Sequence, residues 1–287
     1  PFENRTRRIW VYLPPDYFKS NKSYQVIYLT DAQHIFGSET GAHIADGFDW
    51  QFDEKLDELY EETGKGTIAV GIEFDYTHQW DEYMPWTNNN MDNWLNDVPD
   101  SVEGKGDLFL DFIIDELKPE IDSRYRTLDE REYTAIGGGS RGALFTFYAG
   151  LVRPDIFSKV MSMSPAVWLA EGGAKTALGY PRWLLTNQLV GWIRSHNVPK
   201  DVRFYLYIGE KETSGPPYPY PYAYLTDGTK LTMPEVYLRG AFKLRTEMLT
   251  DLGSSTTFEY IQNPNGTHRS SYWRQYVPSA LDWLGFY

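Results

Sequence analysis

Ser140 stands in the run Tyr133-Thr-Ala-Ile-Gly-Gly-Gly-Ser140-Arg-Gly-Ala-Leu, which contains Gly138-x-Ser140-x-Gly142. That pattern places a nucleophile on a tight strand-to-helix turn, with small residues on either side so that strand and helix can approach. The turn also aims the first backbone N–H groups of the helix at the reaction centre, where a tetrahedral oxyanion would form. The competing reading is a glycine-rich turn that binds phosphate or merely packs. It lacks the Lys-Ser/Thr of a P-loop and the third glycine of a dinucleotide site. A serine hydroxyl is a poor nucleophile until an imidazole takes its proton, so a base and an acid that orients it must be sought. Where the nucleophile sits on an elbow, they follow in the order Ser, acid, His. Only His196 and His268 lie after Ser140. His196 precedes the predicted strand Arg203–Ile208 and so falls at the wrong edge of the sheet. His268 follows the last predicted strand, in the turn-rich stretch Asn263-Pro-Asn-Gly-Thr-His268, and is the expected base. The acid should follow the penultimate strand, where Gly209-Glu-Lys-Glu212 offers Glu210 and Glu212. Spacing alone favours neither.

The elements needed to position these groups are legible as alternating strands and helices, the pattern of a mostly parallel sheet covered on both faces. Predicted strands are Arg8–Leu13, Gln25–Leu29, Thr67–Gly71, Tyr133–Gly137, Lys159–Met163, Arg203–Ile208 and Thr256–Tyr260. Leu110, Ile113, Ile114, Leu117 and Ile121 recur at helical spacing, and Pro119 is expected to bend or end that helix. A second helix, amphipathic from Gly142, should begin just after Ser140 and stop near Pro154. Others fit Glu235–Leu252 and Ser271–Leu284, the last with a kink at Pro278. The Pro/Tyr-rich segment Ser214–Pro234 reads as a loop or lid. Its Tyr218, Tyr220 and Tyr222 offer flat faces to a sugar ring or an aromatic acyl group.

At 287 residues the chain fits one large α/β domain over 1–287, with the Pro/Tyr-rich insertion at about 213–234. It has no cysteine, which excludes a disulfide framework, a cysteine nucleophile and thiolate metal sites. No metal or organic cofactor is implied. The formal net charge is −13, and no basic stripe stands against it. Nucleic acid and anionic membrane surfaces are therefore not expected partners. No run of about 18 apolar residues is present to span a bilayer. The chain opens at Pro1 without a methionine or a charged-then-apolar leader, which is read as removal of a signal peptide or neighbouring domain. Secreted and cytoplasmic locations both fit, and nothing in the pattern sets an oligomeric state.

Gly138-Gly-Ser-Arg-Gly142, Gly209-x-x-Glu212 and the His268 stretch together resemble the Putative esterase (esterase D-like) family of α/β-hydrolases, related to siderophore trilactone, feruloyl and acetylxylan esterases. The resemblance covers most of the chain. Tyr28-Leu-Thr-Asp-Ala-Gln-His-Ile-Phe36 is similar to the family's strand followed by Asp-Gly-Gln-x-x-Phe, and Glu82-Tyr-Met-Pro-Trp86 to its Glu-Tyr-x-Pro-Trp segment. Ser162-Met-Ser-Pro-Ala-Val-Trp168 is similar to the segment after the next strand, which suggests Trp168 as a substrate contact. The resemblance implies an α/β-hydrolase fold and a serine carboxylic-ester hydrolase acting through an acyl-enzyme on a small-molecule or carbohydrate-linked ester. It makes Ser140 nucleophile, Glu212 acid and His268 base, with backbone N–H groups of Gln33 and Arg141 as oxyanion donors. The alternatives are an acyltransferase of the same fold, or a binding protein that keeps the fold without catalysis. Three positions depart from the family pattern: Ala32 replaces Gly, Arg141 replaces an apolar residue and Arg269 replaces Asn. Arg141 either brings a cation to the acyl pocket or pairs with an acid behind the elbow, and the second reading is preferred because a bare guanidinium needs a partner.

Overall fold

The computed structural model describes residues 4–36, 49–89, 99, 101–170, 187–213, 223–224, 229–254 and 256–287. Strands β1 (Ile9–Tyr12), β2 (Gln25–Thr30), β3 (Thr67–Ile72), β4 (Thr134–Gly139), β5 (Lys159–Met163), β6 (Arg203–Lys211), β7 (Ala223–Tyr224), β8 (Lys230–Leu231) and β9 (Phe258–Thr267) follow in chain order. Seven of them form one sheet in the order β1-β3-β2-β4-β5-β6-β9. Only the β1–β3 pairing is antiparallel; the other five are parallel. β7 and β8 pair as a separate two-stranded ribbon within the segment expected to be a loop. All seven predicted strands are present in the sheet.

Because side chains alternate across a strand, each buried strand feeds two cores. On one face Val26, Tyr28, Ile68, Val70 and Ile136 form a cluster with the helices that follow β3, β4 and β5. On the other, Ile27, Leu29, Ala69, Ala135, Met161 and Tyr207 pack with Phe52, Leu56, Trp273, Val277 and Leu281. The helices are α1 (Phe52–Thr63), α2 (Gln79–Glu82), α3 (106–124), α4 (Arg141–Val152), α5 (Gln188–Ser195), α6 (Met233–Leu252) and α7 (Ser270–Trp283). With a mostly parallel sheet flanked in this way, the chain has the α/β-hydrolase architecture.

Several elements differ from the sequence reading. α3 does not end at Pro119; it runs on to Arg124 through a π-helical stretch, Phe112–Leu117. There the N–H of Lys118 reaches the carbonyl of Ile113, five residues back, and the wider turn makes room for the proline ring. α4 is not amphipathic. Every residue from Gly142 to Leu151 is buried, because the helix is covered on all sides by its sheet and its neighbours. α7 runs unbroken through Pro278. α6 begins at Met233, capped by Thr232 and Glu235, so Pro234 belongs to a helix and not to a lid. α1 and α5 had no counterpart in the expected elements. α1 carries Phe52, Leu56 and Leu59 on its buried face, and the side chain of Asn187 caps α5 by accepting from the N–H of Val190 at 3.0 Å.

The largest difference is at β9, which continues to Thr267 where turns were expected. Pro264 is tolerated because β9 is the edge strand. The β6–β9 register shifts between Gly209, opposite Asn263, and Lys211, opposite Thr267. This bulge brings the two backbones together. A Cβ on Gly209 would lie 2.4 Å from the carbonyl oxygen of Gly266, and one on Gly266 would lie 2.8 Å from the Cα of Gly209. Gly209→Ala is therefore expected to push β9 off β6 and to cost about 1–3 kcal/mol, read as a lowered denaturation midpoint in urea. An unchanged midpoint would mean that the bulge has slack.

Candidate active site

The strand-to-helix turn after β4 holds Ser140 at φ 56° and ψ −115°, a conformation costly for any residue with a side chain. Its backbone is bonded on both sides. The N–H donates to the carbonyl of Met163 at 2.9 Å, and the carbonyl accepts from Leu144 at 3.1 Å and Ala166 at 3.0 Å. Only glycine fits beside it, since a Cβ on Gly142 would lie 2.1 Å from Thr30 Oγ1, and one on Gly138 would lie 2.3 Å from the same atom.

β6 and β9 deliver the partners to this turn. His268, just past the end of β9, places Nε2 2.8 Å from Ser140 Oγ and Nδ1 2.6 Å from Glu212 Oε2. A carboxylate only accepts, so Nδ1 carries the proton and the Nε2 lone pair faces the serine. Glu212 is fully buried, and its other oxygen accepts from Ser164 Oγ at 2.6 Å and from the N–H of Gly209 at 2.7 Å. Trp273, on α7, extends the line by donating from Nε1 to Ser164 Oγ at 2.9 Å. Glu210 is exposed, and its carboxylate accepts from Gln262 instead. His196 caps the end of α5, its ring stacked on Trp192 with centroids 4.3 Å apart.

A cleft of about 350 Å³ opens over Ser140, with Asp31, His34, Trp50, Phe74, Arg141 and Arg269 among its walls. Burial pushes the Asp31 carboxyl above the usual carboxylate range, against the opposing pull of His34, Thr30 and Arg141. The guanidinium of Arg141 lies 4.0 Å over the ring of Trp80 and donates to the amide oxygen of Gln79. It thus forms part of the cleft wall, beside Gln79 and Trp80. The side-chain amide of Gln33 is tied to the backbone of Phe74, donating at 2.9 Å and accepting at 3.0 Å, which anchors the turn that follows β2. Trp168, expected as a substrate contact, packs edge-on against Tyr237, with centroids 6.3 Å apart. Tyr218, Tyr220 and Tyr222 lie outside the described residues.

Sequence reasoning missed Ser164, Trp273 as an anchor, Tyr237 and the His34–Phe74 stack (5.7 Å). Ser164 had a faint signal, because Pro165 follows it directly after a strand. The segment Glu82–Trp86 packs into the first core. Glu82 is fully buried and paired with Arg5 at 2.7 Å and Arg7 at 2.6 Å, while Tyr83 stacks on Phe145 of α4.

The model of the Putative esterase family matches residues 3–284 of this sequence. The chain belongs to the Putative esterase family. A relative from Bacillus subtilis, ferri-bacillibactin esterase BesA, is 31% identical over 172 residues, covering 58% of this chain and 55% of that protein. This chain thus spans little more than half the length of the curated relatives it matches. An IroE-like serine hydrolase from Shewanella oneidensis superposes with a TM-score of 0.64 at 21% identity, over 99% of this chain and 76% of the other. A ferulic acid esterase does so with a TM-score of 0.62 at 16% identity, over 98% and 93%. Within this family member, Glu212→Gln would put an N–H against Nδ1 and drive the proton to Nε2, where it faces Ser140. That variant is expected to hydrolyse p-nitrophenyl acetate at least ~10³-fold more slowly, with Glu210→Gln close to the parent. Comparable losses for the two would show that the buried carboxylate is not the one that matters. Among the described residues no helix is long and apolar enough to cross a membrane.

Proposed function

We propose that the protein is a serine carboxylic-ester hydrolase that works through Ser140, His268 and Glu212. The observation that supports this reading best is the unbroken line from Ser140 Oγ through His268 to Glu212, at 2.8 and 2.6 Å, with the serine on a strained elbow. Family membership points the same way.

In the proposed cycle His268 takes the Ser140 proton as Oγ attacks the ester carbonyl, and the buried Glu212 stabilises the imidazolium. The oxyanion is received by two backbone N–H groups. Arg141 is the first residue of α4, and the leading amides of a helix have no intrahelical acceptor. Gln33 supplies the other, from the turn that its own side chain anchors to Phe74. The Ser140 N–H cannot serve, because it is committed to Met163. His268 then protonates the leaving alcohol, and water repeats the sequence on the acyl-enzyme. No cofactor enters.

The substrate is a small-molecule ester whose acyl or alcohol part lies against Trp50, Phe74 and Trp273. Flat walls suit an aromatic acyl group or an acylated sugar ring. They also suit the aryl groups of substrates such as those for which the bacillibactin and ferulic acid enzymes are named. A panel of acetyl, feruloyl, sugar-acetyl and trilactone esters separates these, and product analysis with a sugar acceptor separates hydrolysis from acyl transfer.

Ser140→Ala is expected to lower hydrolysis by several orders of magnitude with little change in melting temperature, because the members of such a unit do not act separately. A fluorophosphonate should add to the parent enzyme at Ser140, located by peptide mass spectrometry, and not to the variant. Near-parental turnover by Ser140→Ala would remove the proposal.

A further inference from the structure

The chain carries a formal net charge of −13, yet the described wall of the cleft over Ser140 has the opposite sign. That wall holds two guanidiniums, Arg141 and Arg269, against one carboxyl, Asp31. Thr30 Oγ1 donates to Oδ2 of this carboxyl at 2.9 Å. Two positive groups less one negative leave an excess of about one positive charge, whatever Asp31 pairs with. A cleft of one sign in a chain of the other concentrates ligands of complementary charge.

Both arginines stand where the family pattern has an uncharged residue. Each also directly follows a member of the proposed triad, Arg141 after Ser140 and Arg269 after His268. Their starting points are fixed. Arg141 is the first residue of α4, and its guanidinium lies 4.0 Å over the ring of Trp80 and donates to Gln79. Arg269 caps α7 in extended backbone, with its N–H on the carbonyl of Thr267 at 2.8 Å and its own carbonyl accepting from Tyr272 at 3.0 Å. At about 350 Å³ the cleft is near the small end of ligand pockets, so a ligand seated at Ser140 lies close to both.

We propose that the cleft selects esters that also carry a carboxylate, which Arg141 and Arg269 bind while Ser140 attacks the ester carbonyl. The inference rests on Ser140 being the nucleophile and narrows the substrate class of that same site. A carboxylate fits on two counts. Its single negative charge matches the excess in the wall, and its two oxygens match the parallel N–H pair of a planar guanidinium. Five N–H donors on each guanidinium are enough to hold the wall and a ligand at once. Trp50, Phe74 and Trp273 offer flat apolar faces in the same wall, so an aromatic ring bearing both the ester and the carboxylate uses all of it. An uncharged ester of the same shape gains the flat contact and forfeits the charged one.

4-Acetoxybenzoate and 4-acetoxybenzamide differ in charge but hardly in shape. The ratio of their kcat/KM values cancels whatever a substitution does to the triad, and comparing that ratio between enzymes cancels their different intrinsic reactivity. Arg269→Gln is expected to lower the ratio about tenfold, the effect of one lost charge-assisted hydrogen bond. Arg141→Gln, which keeps the backbone N–H, should lower it as well. Arg269→Lys retains the charge without the fork and should fall between the parent and Arg269→Gln. Monomethyl terephthalate and methyl 4-carbamoylbenzoate repeat the comparison with the charge on the acyl side, and the pair that responds identifies the side of the ester that faces the arginines. An arginine that only packs would slow both members of a pair alike and leave the ratio where it was. Ratios unchanged in both glutamine variants, for both pairs, overturn the proposal. The parent enzyme supplies a reading that misfolding cannot disturb: added sodium chloride should depress the ratio by screening, and indifference to salt overturns the proposal too. If Ser140→Ala is inactive while the ratios do not respond, the carboxylate alone is wrong. If Ser140→Ala remains active, the underlying mechanism fails with it.

Discussion

Ser140 occupies a backbone conformation that costs on the order of 1–3 kcal/mol, and the surrounding structure is arranged so that no cheaper one is available. Its N–H and carbonyl are bonded to Met163, Leu144 and Ala166, which come from β5, α4 and the turn after β5. Relaxing φ would break these bonds inside a core where the freed groups would find no water. The same crowding sets the neighbours: Thr30 and Asp31 at the end of β2 press on Gly142, and Trp50 and Trp273 press on Gly139. Strand order, helix entry and the composition of the turn are thus consequences of exposing one hydroxyl at the end of β4.

Much of this was readable from residue types. Central strands buried on both faces leave near-continuous apolar runs, so β2 to β6 stand out without ambiguity. The elbow is legible because close approach admits only glycine, and glycine is conspicuous. The proposed acid was harder. Glu210 and Glu212 differ in nothing local, and the choice depends on a bulge between β6 and β9 that turns Glu212 inward under Gly209 and leaves Glu210 outside. Turn-forming residues within β9 hid that bulge, since Asn, Pro and Gly read as loop when the edge position that tolerates them is not yet known. Ser164 and Tyr237 were invisible for a different reason. Each acts through contacts with residues more than 25 positions away in the chain, such as Glu212 and His268, and neither carries a local pattern of its own. The length of α3 was misjudged because a π turn absorbs Pro119, an accommodation with no residue signature.

The buried carboxylate makes the balance between stability and chemistry explicit. Moving Glu212 out of water costs several kcal/mol even after relaxation, and the chain offsets this with Ser164, the Gly209 amide and the imidazole. A hydrophobic residue there would fold as well or better. What the carboxylate adds is a fixed acceptor for Nδ1 in a region of low dielectric, where attraction to an imidazolium is far stronger than at the surface. One of its supports is tied twice to the second core, since Ser164 takes the indole N–H of Trp273 and its own N–H donates to the carbonyl of Tyr207 at 2.7 Å. Packing on the α7 side of the sheet therefore sets where the acid sits, while α6 packs against the opposite side of the imidazole. The proposed base is located by both layers at once, so a substitution in either core that shifts α6 or α7 changes the hydrogen-bonded line even without touching it. In the proposed mechanism rigid packing is then part of the chemistry, because a proton moves efficiently only along donor–acceptor lines held to within a fraction of an ångström.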